Sequence, residues 1–253
     1  MSALYDSHCH LDAPEFDPDR GQVVERARAA GVGRQLVPAV DRAGWEKLRG
    51  ICAADPQLRP AYGLHPMFLD RHLPGHLDEL AQWLERERPA AVGECGLDYF
   101  VPGLDPQTQR LYFQRQLELA REFDLPVVVH ARRAVDEVIT SIRRVGGLRG
   151  VVHSWSGSQQ QAMQLFDLGF HLGIGGPVTF ERAQRLRRTV ATMPLQWLLL
   201  ETDAPDQPGA GHRGERNEPG LLPEVLRVVA GLRGETPEAV AQATTRNAVA
   251  LFG

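Results

Sequence analysis

The chain has 253 residues, 43% of them hydrophobic and 24% charged, which is enough apolar material for one barrel-sized domain spanning 1–253. Its formal net charge of −4 excludes a general attraction to polyanions, so any nucleic-acid contact has to come from a local basic patch. No apolar run long enough to span a bilayer and no basic-then-apolar leader is present, which predicts a cytoplasmic protein with no membrane partner and gives no sign of an obligate protein partner.

Short aliphatic runs and helical stretches alternate from end to end. Leu4-Tyr5 is the first strand; helical spacing follows over 22–29, and Gly31 and Gly33 stop it before the strand Gln35-Leu36-Val37. A helix over 45–54 leads to a third strand at 59–62. A helix over 76–87 ends at Pro89, and Ala90-Ala91-Val92 carries the fourth strand to Glu94. The longest amphipathic segment, 107–123, aligns Leu111, Gln114, Leu117 and Ala120 as its covering stripe. Val127-Val128-Val129 then leads to His130, a helix over 134–145 to the strand before His153, and a helix over 159–168 to the strand 170–172. A helix over 181–191 precedes the last strand, 197–200, and a helical tail over 221–252 closes the barrel, with Thr236-Pro237-Glu238 as a local helix start. Buried parallel strands separated by helices predict an α/β fold, a (β/α)8 TIM barrel. Between 204 and 219 lies a long Gly- and Pro-rich loop, placed where a substrate loop belongs.

Six potential metal ligands, His8, His10, Glu94, His130, His153 and Asp203, stand at or just beyond the ends of these apolar runs. In extended backbone His8 and His10 share a face, so both imidazoles reach one ion while Cys9 points away. Alone, a His-x-His pair is as easily two polar strand-end residues; the four further groups change that reading. The Glu94 carboxylate, between Gly93 and Gly96, has two oxygens and can bridge two cations. A carbamylated lysine can fill that role in related barrels, but Lys47, the only lysine, lies in a helical stretch. His130 and His153 supply nitrogen ligands to a second ion. Asp203 can touch one ion and take a proton from water which that ion has acidified, with Glu201 as a hydrogen-bond partner behind it. His65, followed by Pro66, is assigned to substrate contact or proton transfer rather than ligation. Cys9, Cys52 and Cys95 are an odd, scattered set that fits free packing thiols.

Seven motifs in order, Asp6-Ser7-His8-Cys9-His10, Gly63-Leu64-His65-Pro66, Gly93-Glu94-Cys95-Gly96-Leu97-Asp98, Val129-His130-Ala131-Arg132, His153-Ser154-Trp155-Ser156-Gly157, Glu201-Thr202-Asp203-Ala204-Pro205 and Arg216-Asn217-Glu218-Pro219, span nearly the whole chain. With them the chain resembles the TatD-like metal-dependent hydrolases. The resemblance implies a (β/α)8 barrel holding two divalent ions on the six ligands, and hydrolysis of a phosphodiester, in members generally described as deoxyribonucleases. Two departures bear on substrate preference: Ser154-Trp155 stands where the family motif has Cys-Phe, and Asp206 where many members have tyrosine.

The expected activity is therefore a two-metal hydrolase, a DNase acting on DNA or another phosphodiester, with catalytic Asp203, Glu94 and His65. Nitrogen and oxygen ligation favours Zn, Mn, Mg or Co. Arg132, Arg133, Arg213 and Arg216 would fork onto phosphate at the barrel mouth, and Trp155 would stack on a base or pack beside the site. One rival keeps the metal site but hydrolyses a small-molecule ester, lactone or amide. Another, a barrel binding nucleic acid or a partner without turnover, leaves six clustered polar groups uncompensated.

Overall fold

The eight strands, β1 (Leu4–Asp6), β2 (Val32–Pro38), β3 (Leu58–Tyr62), β4 (Ala91–Asp98), β5 (Val127–Arg132), β6 (Gly150–Val152), β7 (Phe170–Ile174) and β8 (Leu198–Leu200), pair in sequence order and all in parallel. This is the (β/α)8 TIM barrel that the alternation predicts, seen in a computed structural model that describes residues 3–253. Backbone hydrogen bonds just past the strands close it: Ser7 N–H donates to the Leu200 carbonyl at 2.9 Å, His10 N–H to Ala204 at 2.8 Å and Asp203 N–H to His8 at 2.9 Å. Closure thus falls on the segments that carry His8, His10 and Asp203.

The helices α1 (Arg20–Ala29), α2 (Trp45–Ala53), α3 (His76–Glu87), α4 (Pro106–Glu122), α5 (Val135–Val145), α6 (Gln159–Asp167), α7 (Gln184–Thr192), α8 (Leu222–Arg233) and α9 (Pro237–Phe252) stand close to their expected places. The tail is two helices rather than one. Gly234 ends α8 in the left-handed region (φ 65°), and the Thr236 side chain accepts the Ala239 N–H to start α9. No described helix is long and apolar enough to cross a membrane.

The expected stripe on α4 holds in part: Leu117 and Ala120 are buried, but Leu111 and Gln114 are not. Leu111 is exposed, and the buried face carries Gln109, Tyr112, Phe113, Gln116, Leu117 and Ala120. Two glutamines replace aliphatic residues there because their amides complete strand-end backbone. Gln109 accepts from Asp98 N–H and donates to its carbonyl, both near 2.8 Å, and Gln116 does the same for Leu64.

Strand parity decides what faces the barrel interior. Tyr5, Leu36, Ala61, Ala91, Val128, Val151 and Leu199 form one inner cluster with Ala248, Leu251 and Phe252 of α9. Their neighbours Val92, Val127, Val129, Val152, Leu198 and Leu200 belong to the outer core under the helices. Two residues on from Val128, Val151 and Leu199 stand His130, His153 and Glu201, so all three aim inward. In β4 the outer residues are Val92, Cys95 and Leu97, and that three-residue gap coincides with a register shift against β5. One extra residue there reverses the alternation, and Glu94 and Asp98 turn inward.

Candidate metal centre

Glu94 stands at the middle of a ring of imidazoles, and its two oxygens face different groups. Oε2 lies 3.1 Å from His8 Nε2 and 3.4 Å from His10 Nε2; these two nitrogens are 3.1 Å apart and lie 3.5 and 3.6 Å from Asp203 Oδ1. Oε1 lies 2.7 Å from His153 Nε2, 3.2 Å from His130 Nδ1 and 2.9 Å from His65 Nε2, with His130 Nδ1 and His153 Nε2 separated by 3.3 Å. Glycine makes this closeness possible: a Cβ on Gly96 would meet the His130 carbonyl oxygen at 2.0 Å, and one on Gly173 would meet Glu201 Oε2 at the same distance.

The donor set fits divalent cations. Four donors around an ion at bond lengths of about 2.0–2.1 Å stand roughly 3.3 Å from one another, the spacing found here. Imidazole nitrogens facing each other at that range need a cation or proton between them, and the buried Glu94 Oε2 has no hydrogen-bond donor of its own.

Neighbouring groups orient the ring nitrogens. His10 Nδ1–H donates to the Pro38 carbonyl at 3.1 Å, freeing Nε2, and His130 Nε2–H donates to Asp98 Oδ2 at 2.9 Å, freeing Nδ1. His65 is turned the other way. Its Nδ1 accepts the Met67 N–H at 3.1 Å, so the proton sits on Nε2, which donates to Glu94 Oε1. By distance His65 groups with Glu94 and His130; by tautomer it is a hydrogen-bond donor to the carboxylate.

Burial would push the Glu94 carboxyl up, yet His153, His65 and His8 together hold it well below the ordinary range. His153 and His10 are lowered by burial but raised more by Glu94, to about 10 and about 9. Burial lowers His65 to about 4, in keeping with a neutral ring, and raises the Asp203 carboxyl. Glu201, fully buried, is raised to about 8 by desolvation; it accepts the Ser154 N–H and stands 3.8 Å from His153 Nδ1, too far for a hydrogen bond.

Three groups that the sequence reading did not single out complete the site. Asp6 accepts from His8 N–H, Thr202 N–H and the Thr202 hydroxyl, tying the end of β1 to the end of β8. Asp98 orients His130, and Gln207 donates to Asp203 Oδ2. The inward parity of Asp98 was available only once the bulge was known; no local pattern marks Gln207.

The expected substrate contacts divide. Trp155 is 3% exposed and belongs to the outer core, so it packs beside the site and cannot stack on a base. Arg216 is tied up: it donates to Asp19 at 2.8 and 2.7 Å, to Glu218 at 2.9 Å and to the Glu15 carbonyl, over the buried ring of Phe16. It clamps the long loop to the segment before α1 and has no free fork for phosphate. Arg132, Arg133 and Arg213 are exposed and enter no ion pair among the described residues. Lys47 pairs with Asp17 at 2.7 Å, away from the ring, and the three cysteines are buried and free.

The family model described as TatD related DNase matches residues 5–253. The chain is 43% identical over 253 residues to the uncharacterized metal-dependent hydrolase YjjV of Escherichia coli (strain K12), covering 98% of this chain and 96% of that protein. It is 36% identical over 265 residues to the 3'-5' ssDNA/RNA exonuclease TatD of Erwinia billingiae, covering 98% of each. The crystal structure of YjjV, a TatD homolog from Escherichia coli K12, superimposes with a TM-score of 0.94 at 39% identity, covering 98% of this chain and 97% of that one.

Proposed function

The chain belongs to the TatD related DNase family of metal-dependent hydrolases, and on that premise we propose that it cleaves phosphodiester bonds of DNA at a centre of two divalent cations. The observation that carries this reading is the division of Glu94, Oε2 toward His8 and His10 and Oε1 toward His130 and His153. His8, His10, Asp203 and Glu94 Oε2 would hold one cation, and His130, His153 and Glu94 Oε1 the other. The all-nitrogen-and-oxygen set suits Zn, Mn, Mg or Co. When bound, the cations supply acidified water and stabilise charge developing on the phosphoryl oxygens.

The chain's own residues divide the remaining work. Asp203, whose carboxyl burial raises, accepts the water's proton at Oδ2 while Gln207 steadies that oxygen. His65 holds Glu94 Oε1 by its Nε2–H and keeps the carboxylate ionised and in register. Asp6 anchors the backbone at His8, the Pro38 carbonyl orients the His10 ring, and Asp98 orients His130. Arg132, Arg133 and Arg213 are the cations open to phosphate, and they offset locally a net charge that would otherwise repel DNA.

The test compares turnover of single-stranded oligonucleotides with turnover of aryl esters and lactones by the same metal-loaded preparation. Nuclease activity exceeding any esterase activity is the expected result. Ester or lactone hydrolysis with no cleavage of nucleic acid would instead support a small-molecule hydrolase on the same ligands.

A further inference from the structure

Phe100 is the only aromatic residue among the exposed large hydrophobic side chains of the described residues, at 44%. It stands just past β4, at the barrel end where the ligands gather. The guanidinium carbons of Arg132 and Arg133 lie 3.7 and 4.6 Å from its ring centroid. Adjacent residues of a strand point to opposite faces, yet these two converge on one ring. The turn that allows it is at Arg133, in the left-handed region at φ 56°, uncommon for a residue other than glycine. Many of the chain's other arginines are matched by carboxylates, and these two are not. The mouth therefore carries an uncompensated double positive charge on an open aromatic surface.

This platform is coupled rigidly to the metal centre. Asp98 Oδ1 accepts the N–H groups of Phe100 and Val101 at 2.8 and 3.0 Å, while its Oδ2 receives His130 Nε2–H at 2.9 Å. One buried carboxylate thus sets both the ligand and the ring.

Resting on the phosphodiesterase reading above, we propose that Phe100, Arg132 and Arg133 form a subsite for one unpaired nucleobase and its adjoining phosphate. An aromatic ring and guanidinium planes stack on any base, and the guanidinium N–H groups answer the phosphate. A base can present its face only when it is out of a duplex, so the subsite selects single strands or frayed ends. Stacking of this kind is sequence-tolerant, because every base has a π-face.

The experiment measures binding of a short oligothymidylate, and of an abasic strand with the same phosphates, to the metal-loaded Asp203→Asn protein. The same pair is then measured with Phe100→Ala and Phe100→Tyr added. The parent should prefer the base-bearing strand on the order of 10-fold, Phe100→Ala should bind the two strands alike, and Phe100→Tyr should restore the preference. A preference that survives undiminished in Phe100→Ala overturns the subsite and leaves the nuclease reading intact. A wild-type holoenzyme that hydrolyses esters but never cleaves the oligonucleotide overturns both.

Discussion

His65 donates its Nε2 proton to Glu94 Oε1 across 2.9 Å, and the Met67 N–H on its Nδ1 fixes that direction. A neutral imidazole in this tautomer presents no lone pair to a cation on the side facing the centre. His65→Gln should therefore retain its metal content and lose roughly 10–100-fold in turnover, the usual cost of removing a group that orients a ligand. Metal analysis beside steady-state kinetics checks this. Loss of one metal equivalent would put His65 among the ligands.

Asp203 and Glu94 should fail differently. Asparagine can still offer an oxygen to a cation but cannot accept a proton from water at neutral pH, so Asp203→Asn should fold, keep most of its metal and lose at least ~10²-fold in turnover. Glu94→Gln places a neutral amide among imidazoles that its charge holds together, and its metal content should fall with activity. Near-native turnover in Asp203→Asn with full metal would take the base role away from Asp203.

Exhaustive chelation should abolish activity, and one or more divalent cations should restore it. The apo protein should also melt at a lower temperature, because removing the cations leaves facing imidazoles and a buried carboxylate oxygen without partners. Turnover that persists in a verified metal-free sample would rule out the two-metal mechanism.

Arg213 is exposed and unpaired among the described residues, and it lies in the loop that follows Asp203. If it contacts one phosphate, Arg213→Ala should weaken single-strand binding and reduce the slope of log K against log salt by about 0.7. Titrations at several salt concentrations give that slope directly. An unchanged slope places the strand elsewhere on the mouth.

Arg216 should behave as a clamp with its own pH signature. It depresses Asp19 to about 2, and it adds to the lowering of Glu218 that Arg26 chiefly causes. Carboxylates depressed in the folded state contribute stability that is complete above their unfolded values near 4 and fades as pH falls toward the folded ones. Arg216→Ala should thus show greater proteolysis of the 204–219 loop than wild type at neutral pH, with the difference shrinking below about pH 4. A difference that holds constant down to pH 3 would show that these ion pairs are not what anchors the loop.

Read along the chain, the alternation of aliphatic runs and helical spacings determined the barrel, because parallel strands buried on both faces need continuous apolar residues whatever their partners. The same pattern located His8, His10, His130, His153 and Asp203, since a polar group ending such a run emerges at the barrel mouth. Position along the chain could not say which way several other groups face. Glu94 and Asp98 point inward because of one extra residue in β4, and a bulge shows only in the pairing with β5. The tautomer of His65 rests on a backbone amide two residues away, and the loss of Arg216 as a phosphate ligand rests on Asp19, distant in sequence. Leu111, expected in the covering stripe, is exposed, and Trp155, open to stacking or to packing from the sequence, is buried, because packing partners and not hydropathy choose the face of a segment. What local composition imposes was legible; what depends on a partner brought from elsewhere in the chain waited for the fold.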